Sequence, residues 1–176
     1  MCPGPGEVLH FSEDPGITEF VPHVAATAAQ PEAYVWAVGR DRAPDYWFPR
    51  RCPRVLAWTG PQTTAPDRER IIGPGGGDRV HVIEYAWLPA VRTTRLYAYR
   101  LPAGPFHPIG EPRPYAVVAT EPVVPLGPPE PVSDLLACHA AAGIQLRVLD
   151  NLQAFWAAVV ASTVSFSGIR LHNARS

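Results

Sequence analysis

Hydrophobic residues occur along this chain in short runs that proline and glycine separate. Residues 8–11, 34–38 and 54–58 are rich in β-branched and aromatic side chains, a composition that predicts strands. Residues 79–85 and 95–101 follow the same pattern over a longer span. The 22 prolines and 14 glycines lie between these runs and are interpreted as turns.

The remaining segments predict a mixture of loops, strands and helices. A short helix over residues 42–48 would be capped by Asp41, and residues 61–78 and 102–114 are predicted to be loops. Strands are predicted at residues 115–119 and 123–126. In the C-terminal third, Ser133 and Asn151 are each expected to cap a helix, and the predicted order is helix, strand, helix, strand: residues 134–142, 144–149, 152–162 and 164–171.

Strands therefore outnumber helices, and most connections are too short to be helical crossovers. This pattern predicts an α+β fold with few helices and a mostly antiparallel or mixed sheet. The absence of a regular βαβ alternation argues against a Rossmann fold. A length of 176 residues fits a single domain over residues 1–176.

The amino-acid composition argues against several classes of function and of location. A net charge of −1 predicts no non-specific binding of nucleic acid. All 15 positive residues are arginine, which excludes a Schiff-base lysine. Three cysteines at irregular spacing do not indicate a disulfide framework. No signal-peptide pattern or apolar run of about 20 residues is present, so the predicted location is cytoplasmic, with no membrane partner.

Familiar catalytic and metal motifs are missing. The sequence has no Gly-x-Ser-x-Gly elbow, and its six histidines lack zinc-site spacing, so no metal site is predicted. The glycine-rich run at residues 73–77 lacks the Gly-Lys-Ser/Thr ending of a phosphate loop. His10 and Ser12 would share one face of a strand, which leaves a hydrolase built around them as one alternative.

The opening segments resemble those of ADP-ribosyltransferase-fold proteins. A first strand ends in His10-Phe11-Ser12, a second strand carries Tyr34 and Trp36, and a helix is predicted after it. Residues 96–106 and 115–125 resemble later segments of the small rifamycin-modifying ADP-ribosyltransferases. The whole chain is also similar to an uncharacterised bacterial family whose members start with a Leu-Tyr-His-Phe-Ser-Glu-like strand, which here reads Val-Leu-His-Phe-Ser-Glu. That family also shares the Val-Trp-Ala and Thr-Thr-Arg-Leu-Tyr-Ala-Tyr-Arg segments.

The transferase resemblance implies a split sheet that holds NAD as a substrate, with an unknown acceptor as the second partner. His10 would contact the ribose next to nicotinamide, with the hydroxyl residue Ser12 beside it. Trp36, or alternatively Tyr34, would stack on the nicotinamide ring, because aromatic faces attract cations. Glu121 would stabilise the positive charge that develops at the ribose carbon, so Glu121 and His10 are the expected catalytic residues.

Two departures from the family pattern leave a second function open. Phe11 follows His10 where a small residue is usual, and His107 stands where the rifamycin-modifying enzymes carry an acid. The alternative is a non-enzymatic nucleotide-binding or protein-interaction module with the same cleft. In either case Arg50 or Arg51 could bind a pyrophosphate bidentately.

Overall fold

The computed structural model describes residues 1–24, 31–75, 77–110, 114–132 and 134–175. The chain divides into two compact units, each built from two segments. Unit 1 comprises Met1–Trp47 and Arg95–Val132, and unit 2 comprises Phe48–Thr94 and Ser133–Ser176. That residues 1–176 behave as one domain stays a prediction.

The described part of the chain contains ten strands and several short helices. The strands, numbered along the chain, are β1 Glu7–Ser12, β2 Val35–Ala37, β3 Arg54–Trp58, β4 Arg79–Glu84, β5 Leu96–Pro102, β6 His107–Ile109, β7 Ala116–Ala119, β8 Glu130–Val132, β9 Gln145–Leu149 and β10 Ser165–Ile169. The α-helices are α1 Ala65–Asp67, α2 Leu88–Thr93, α3 Leu135–Ala141 and α4 Gln153–Val160. A π-helical turn spans Arg68–Ile72, and 3-10 turns span Ala43–Tyr46, Tyr85–Trp87 and Leu171–Asn173.

The fold is α+β, as the short strand-rich pattern predicts. Among the described residues, six of the seven strand pairs are antiparallel, and only β4 and β9 run parallel. No helix in these ranges is both long enough and apolar enough to cross a membrane.

Unit 1 contains two three-stranded sheets, ordered β1-β5-β8 and β2-β7-β6. They meet at one bridge, where Leu9 and Val38 exchange both main-chain hydrogen bonds. Val35 and Ala37 of β2 pack with Val8 of β1 in one buried cluster, and Leu9 packs with Val38 in a second. Burying an aliphatic side chain of this size contributes about 1.5–3 kcal/mol, so these residues hold the two sheets together.

Unit 2 is built on one four-stranded sheet, ordered β10-β3-β4-β9. Val55 of β3 and Val82 of β4 are directly paired and fully buried. They pack with Leu152 and Val159 from the α4 region and with Ile72 at the end of the π-helical turn. The apolar positions of α4 and of the π-helical turn therefore cover one face of this sheet.

Three loop and strand predictions were wrong. Residues 61–78 contain α1 and the π-helical turn, because Thr64 caps the start by accepting from Asp67 N. In place of a strand at residues 123–126 there is one bridge, from Val123 to Phe20, since proline at positions 122 and 125 removes ladder donors. The predicted loop at residues 102–114 contains β6.

Both predicted side-chain caps that the structure describes were also wrong. Asp41 does not cap the turn that follows it, which begins after Arg42 without a side-chain cap. The N-cap of α4 is Leu152 and not Asn151. The Leu152 N–H donates to the Glu84 carboxylate. Ser133 lies outside the described residues, and Asp134 caps α3 by accepting from Leu136 N and Ala137 N.

Candidate functional site

The two sheets of unit 1 separate beside His10. Beyond the Leu9–Val38 pair, a continuous antiparallel ladder would next join Phe11 N–H to the Trp36 carbonyl. That carbonyl instead accepts a hydrogen bond from His10 Nδ1 at 2.7 Å. The imidazole thus takes the place of a main-chain donor, and β1 and β2 diverge at this point.

The bond to Trp36 determines which nitrogen of His10 carries the proton. A carbonyl oxygen can only accept, so Nδ1 is the N–H and Nε2 of the neutral ring carries the acceptor lone pair. The ring is half-buried and lies 4.5 Å from the Phe20 ring, centroid to centroid. His10 is therefore held in one orientation by a polar contact on one side and an aromatic contact on the other.

The turn after His10 is tied to the core by Tyr99, a fully buried residue that pairs with His10 across β1 and β5. The Tyr99 hydroxyl donates to the Asp14 carbonyl at 2.7 Å and accepts from Ile17 N at 3.1 Å. The sequence did not predict this contact, because strand alternation does not reveal which distant groups a tyrosine hydroxyl meets. Tyr99 positions the segment that carries His10 and Ser12.

Ser12 is buried, with 4% of its surface exposed. Its Oγ accepts a hydrogen bond from Asp14 N at 3.1 Å, which begins the turn. In this arrangement the hydroxyl stabilises the backbone beside His10. A buried hydroxyl committed to a main-chain N–H does not favour the hydrolase alternative, in which Ser12 would have to reach a substrate.

Trp36 and Tyr34 lie together on β2 and the residue that precedes it. Trp36 is flanked by Val35 and Ala37, which face the core, so its ring lies on the other face of the strand. Its ring is half-buried and meets the Tyr34 ring edge-on at 5.9 Å. The Tyr34 ring also meets the exposed His107 ring edge-on at 6.4 Å. These three residues form an aromatic row that strand composition alone did not predict.

Glu121 is exposed and follows β7. It stands two residues before Val123, which bridges Phe20, and the Phe20 ring in turn contacts His10. The structure therefore joins His10, Trp36 and Tyr34 through direct contacts. It places Glu121 at the surface, two residues along the chain from Val123, which bridges Phe20.

Unit 2 contains a second cluster of polar side chains, which sequence reasoning did not anticipate. His81 Nδ1 and His139 Nε2 are 3.1 Å apart, and His139 Nδ1 donates to the Leu135 carbonyl at 2.7 Å. Both rings are buried and contact Phe48. Because His139 Nδ1 carries its proton, the neutral pair requires His81 Nδ1 to donate to His139 Nε2.

The same unit buries Cys52 and Glu84. Burial raises the pKa of the Cys52 thiol to about 12, so this group is protonated at neutral pH and is a poor nucleophile. Glu84 accepts main-chain hydrogen bonds from Leu152 and Arg175. Among the residues that the structure describes, no three His, Cys, Asp or Glu side chains are grouped as a metal site would require. These contacts give the buried groups of unit 2 a structural role.

Comparison with known proteins places the chain in a family without a known activity. No curated protein matches it, and no solved structure does. One family model, described as "Family of unknown function (DUF6886)", matches residues 9–174. This match covers most of both units and includes His10, Ser12, Tyr34, Trp36 and Glu121. The chain therefore belongs to the family of unknown function DUF6886.

Proposed function

We propose that the protein binds NAD in unit 1, where β1 and β2 diverge, and transfers ADP-ribose from NAD to an acceptor. The observation that carries this proposal is the 2.7 Å bond from His10 Nδ1 to the Trp36 carbonyl. It orients an imidazole beside a break in the sheet and makes Nε2 of the neutral ring a hydrogen-bond acceptor. A ribose hydroxyl is a donor of matching chemistry, and the resemblance of residues 8–126 to ADP-ribosyltransferase-fold proteins implies the same contact.

The aromatic residues of β2 support the choice of ligand. The half-buried rings of Trp36 and Tyr34 combine apolar area with a π-face, which attracts a flat cationic ring such as the nicotinamide of NAD. Arg40, Asp41 and Arg42 line a groove of about 220 Å³ that begins just beyond β2 in the same unit. Arg42 forms an ion pair with Asp45 at 3.2 Å, so Arg40 is the cation that we propose meets the diphosphate.

The proposed reaction exchanges one bond to the ribose for another. The bond between C1′ and the nicotinamide nitrogen breaks, and its electron pair neutralises the ring. The acceptor nucleophile then forms a bond to C1′ and releases its proton to water. Positive charge develops at C1′ as nicotinamide leaves, and the carboxylate of Glu121 is proposed to stabilise it.

Calorimetric titration of NAD tests the binding step. We expect wild-type protein to bind NAD, His10→Ala to lose binding, and His172→Ala to retain it. His172 is the matched control because it is an exposed histidine in unit 2. Absence of wild-type binding at millimolar NAD would refute the proposal, and equal binding by His10→Ala would refute this placement of the nucleotide.

Release of nicotinamide from NAD tests the chemical step. Removing a charge-stabilising group usually lowers kcat by about 10²–10³-fold, so Glu121→Gln should lose most release while it still binds NAD. Glu19→Gln, an exposed glutamate of unit 1, should behave as wild type. Wild-type protein that binds NAD without releasing nicotinamide, whatever acceptor is offered, would favour the non-enzymatic nucleotide-binding module instead.

A further inference from the structure

We infer that Arg50, Arg51 and Arg170 of unit 2 form a binding site for a small molecule that carries two or more linked phosphate groups. Arg50 and Arg51 are the central residues of a turn in which Cys52 N donates to the Pro49 carbonyl at 2.9 Å. Both arginines are exposed, so the turn presents two guanidinium groups to solvent. A guanidinium group binds phosphate well, because its planar fork of N–H donors matches two phosphate oxygens.

Strand pairing brings Arg170 next to this turn. Ile169, the last residue of β10, lies opposite Arg54, the first residue of β3. Beyond this pair, the Asn173 side chain donates to the Arg51 carbonyl at 2.8 Å, and Asn173 N donates to the Arg170 carbonyl at 2.9 Å. The main chains of Arg51 and Arg170 are therefore bonded to the same residue, and their long side chains can reach one ligand.

Arg170 has an unusual backbone conformation. Its φ of 56° and ψ of 28° are left-handed, and among the described residues it is the only one other than glycine with a positive φ. This conformation is unfavourable for a residue with a Cβ atom, whereas glycine adopts it without strain. Residues held in such conformations are concentrated at binding sites. An arginine at a position that suits glycine therefore points to a use for its guanidinium group.

The two segments that form the site contain no acidic residue. Neither residues 48–66 nor residues 151–176 include Asp or Glu. Two acids that contact the C-terminal segment bond to other groups: Asp150 pairs with Arg175 at 2.9 Å, and the buried Glu84 accepts from main-chain N–H groups. Since the whole chain has a net charge of −1, setting aside the three positive charges of the site leaves −4 for the remainder. Positive charge is thus concentrated at this site on a protein that is otherwise negative.

This charge distribution favours a small anion as the ligand. Binding of nucleic acid depends on many phosphate contacts spread over a basic surface, and the charge of −4 on the remainder opposes it. One turn and the end of one strand can contact only a few groups, and three guanidinium groups match two or three linked phosphates. All three arginines belong to unit 2, so the inference does not depend on the proposed NAD site in unit 1.

Calorimetric titration with inorganic pyrophosphate at an ionic strength of about 0.15 M tests the site. Wild-type protein should bind pyrophosphate, and Arg51→Gln should bind it about 10- to 100-fold more weakly, the loss expected when hydrogen bonds from a charged group are removed. Arg92→Gln is the matched control, because Arg92 is an exposed arginine on α2 of the same unit, and it should bind as wild type does. Absence of wild-type binding at millimolar pyrophosphate, or equal binding by Arg51→Gln, would overturn the inference.

Arg170→Gly removes the guanidinium group and keeps the fold, because glycine adopts the left-handed conformation freely. The variant should unfold at a temperature no lower than that of wild type, while its affinity for pyrophosphate should fall about 10- to 100-fold. Unchanged affinity would overturn the inference. A loss of affinity together with a lower unfolding temperature would also contradict it, since the arginine would then have a structural role.

Two further titrations test the ligand class and the location of the site. Orthophosphate should bind wild-type protein about tenfold more weakly than pyrophosphate, because one phosphate engages fewer guanidinium groups. Arg40→Gln should keep the wild-type affinity for pyrophosphate, although it should weaken the proposed binding of NAD in unit 1. Equal affinity for the two anions, loss of pyrophosphate binding in Arg40→Gln, or tighter binding of duplex DNA than of pyrophosphate would each overturn the inference.

Discussion

In unit 2 the imidazoles of His81 and His139 are fully buried, and His81 Nδ1 lies 3.1 Å from His139 Nε2. In unit 1 the imidazole of His10 is half-buried and donates to a main-chain carbonyl. The His81–His139 pair connects α3 to the sheet of unit 2, and its ring nitrogens bond to other groups of the protein. The His10 ring lies where the two sheets of unit 1 diverge. The difference separates a histidine pair that stabilises a fold from a single histidine that we propose contacts a ligand.

The contrast predicts that polar substitutions in unit 2 reduce stability, while substitution of His10 reduces binding. The largest effect is expected for Glu84→Gln. The Glu84 carboxylate accepts hydrogen bonds from Leu152 N at 3.2 Å and from Arg175 N at 3.0 and 3.2 Å. Hydrogen bonds to charged groups contribute about 1.5–3 kcal/mol each, so the variant should lose about 3 kcal/mol of unfolding free energy in urea titrations. Glu69→Gln, an exposed glutamate of the same unit, should change it little.

A somewhat smaller loss is expected for His81→Leu. The substitution leaves His139 Nε2 buried without the donor that faces it at 3.1 Å, which costs about 1–3 kcal/mol. The double variant His81→Leu/His139→Leu removes both partners, so its loss should be smaller than the sum of the two single losses. Chemical denaturation of all four proteins measures this coupling, and strictly additive losses would contradict the role of the His81–His139 bond.

In unit 1, His10→Ala should cost less unfolding free energy than Glu84→Gln. The His10 ring is half-buried, so water can replace part of its bond to the Trp36 carbonyl, and a typical hydrogen bond contributes about 1 kcal/mol. Thermal unfolding measured beside the NAD titration separates the two effects. A loss of stability as large as that of Glu84→Gln would remove the contrast between the units and would point to a structural role for His10.

The smallest expected effect is the pH dependence of the stability that Asp67 contributes. Hydrogen bonds from Arg70 and Thr163 lower the pKa of Asp67 from 3.8 to about 2. The carboxylate therefore stabilises the folded state above about pH 4, and this contribution is lost as the pH falls towards 2. Asp67→Asn should be less stable than wild type at pH 7, and the difference should shrink near pH 2.5. If the difference in unfolding free energy between the two proteins were the same at pH 7 and pH 2.5, the stabilisation would not depend on the charge of Asp67.

Residues close together in the chain were enough to predict most of the strands. β3, β4 and β10 were predicted to within two residues, because β-branched and aromatic runs between prolines and glycines favour strands wherever they occur. The sequence also predicted the α+β class, since strand number and short connections depend only on residues close in sequence. It failed where a short stretch depended on distant contacts for its structure, as in β6 and β8.

Which polar groups meet could not be predicted without the three-dimensional fold. His10 and Trp36 are 26 residues apart in the chain, His81 and His139 are 58 apart, and Glu84 and Leu152 are 68 apart. Each contact depends on strand register and on which segments become neighbours, and a one-residue shift would turn the side chains to the other face. Local sequence does not predict these contacts, because burial and strand pairing depend on the packing of the whole unit.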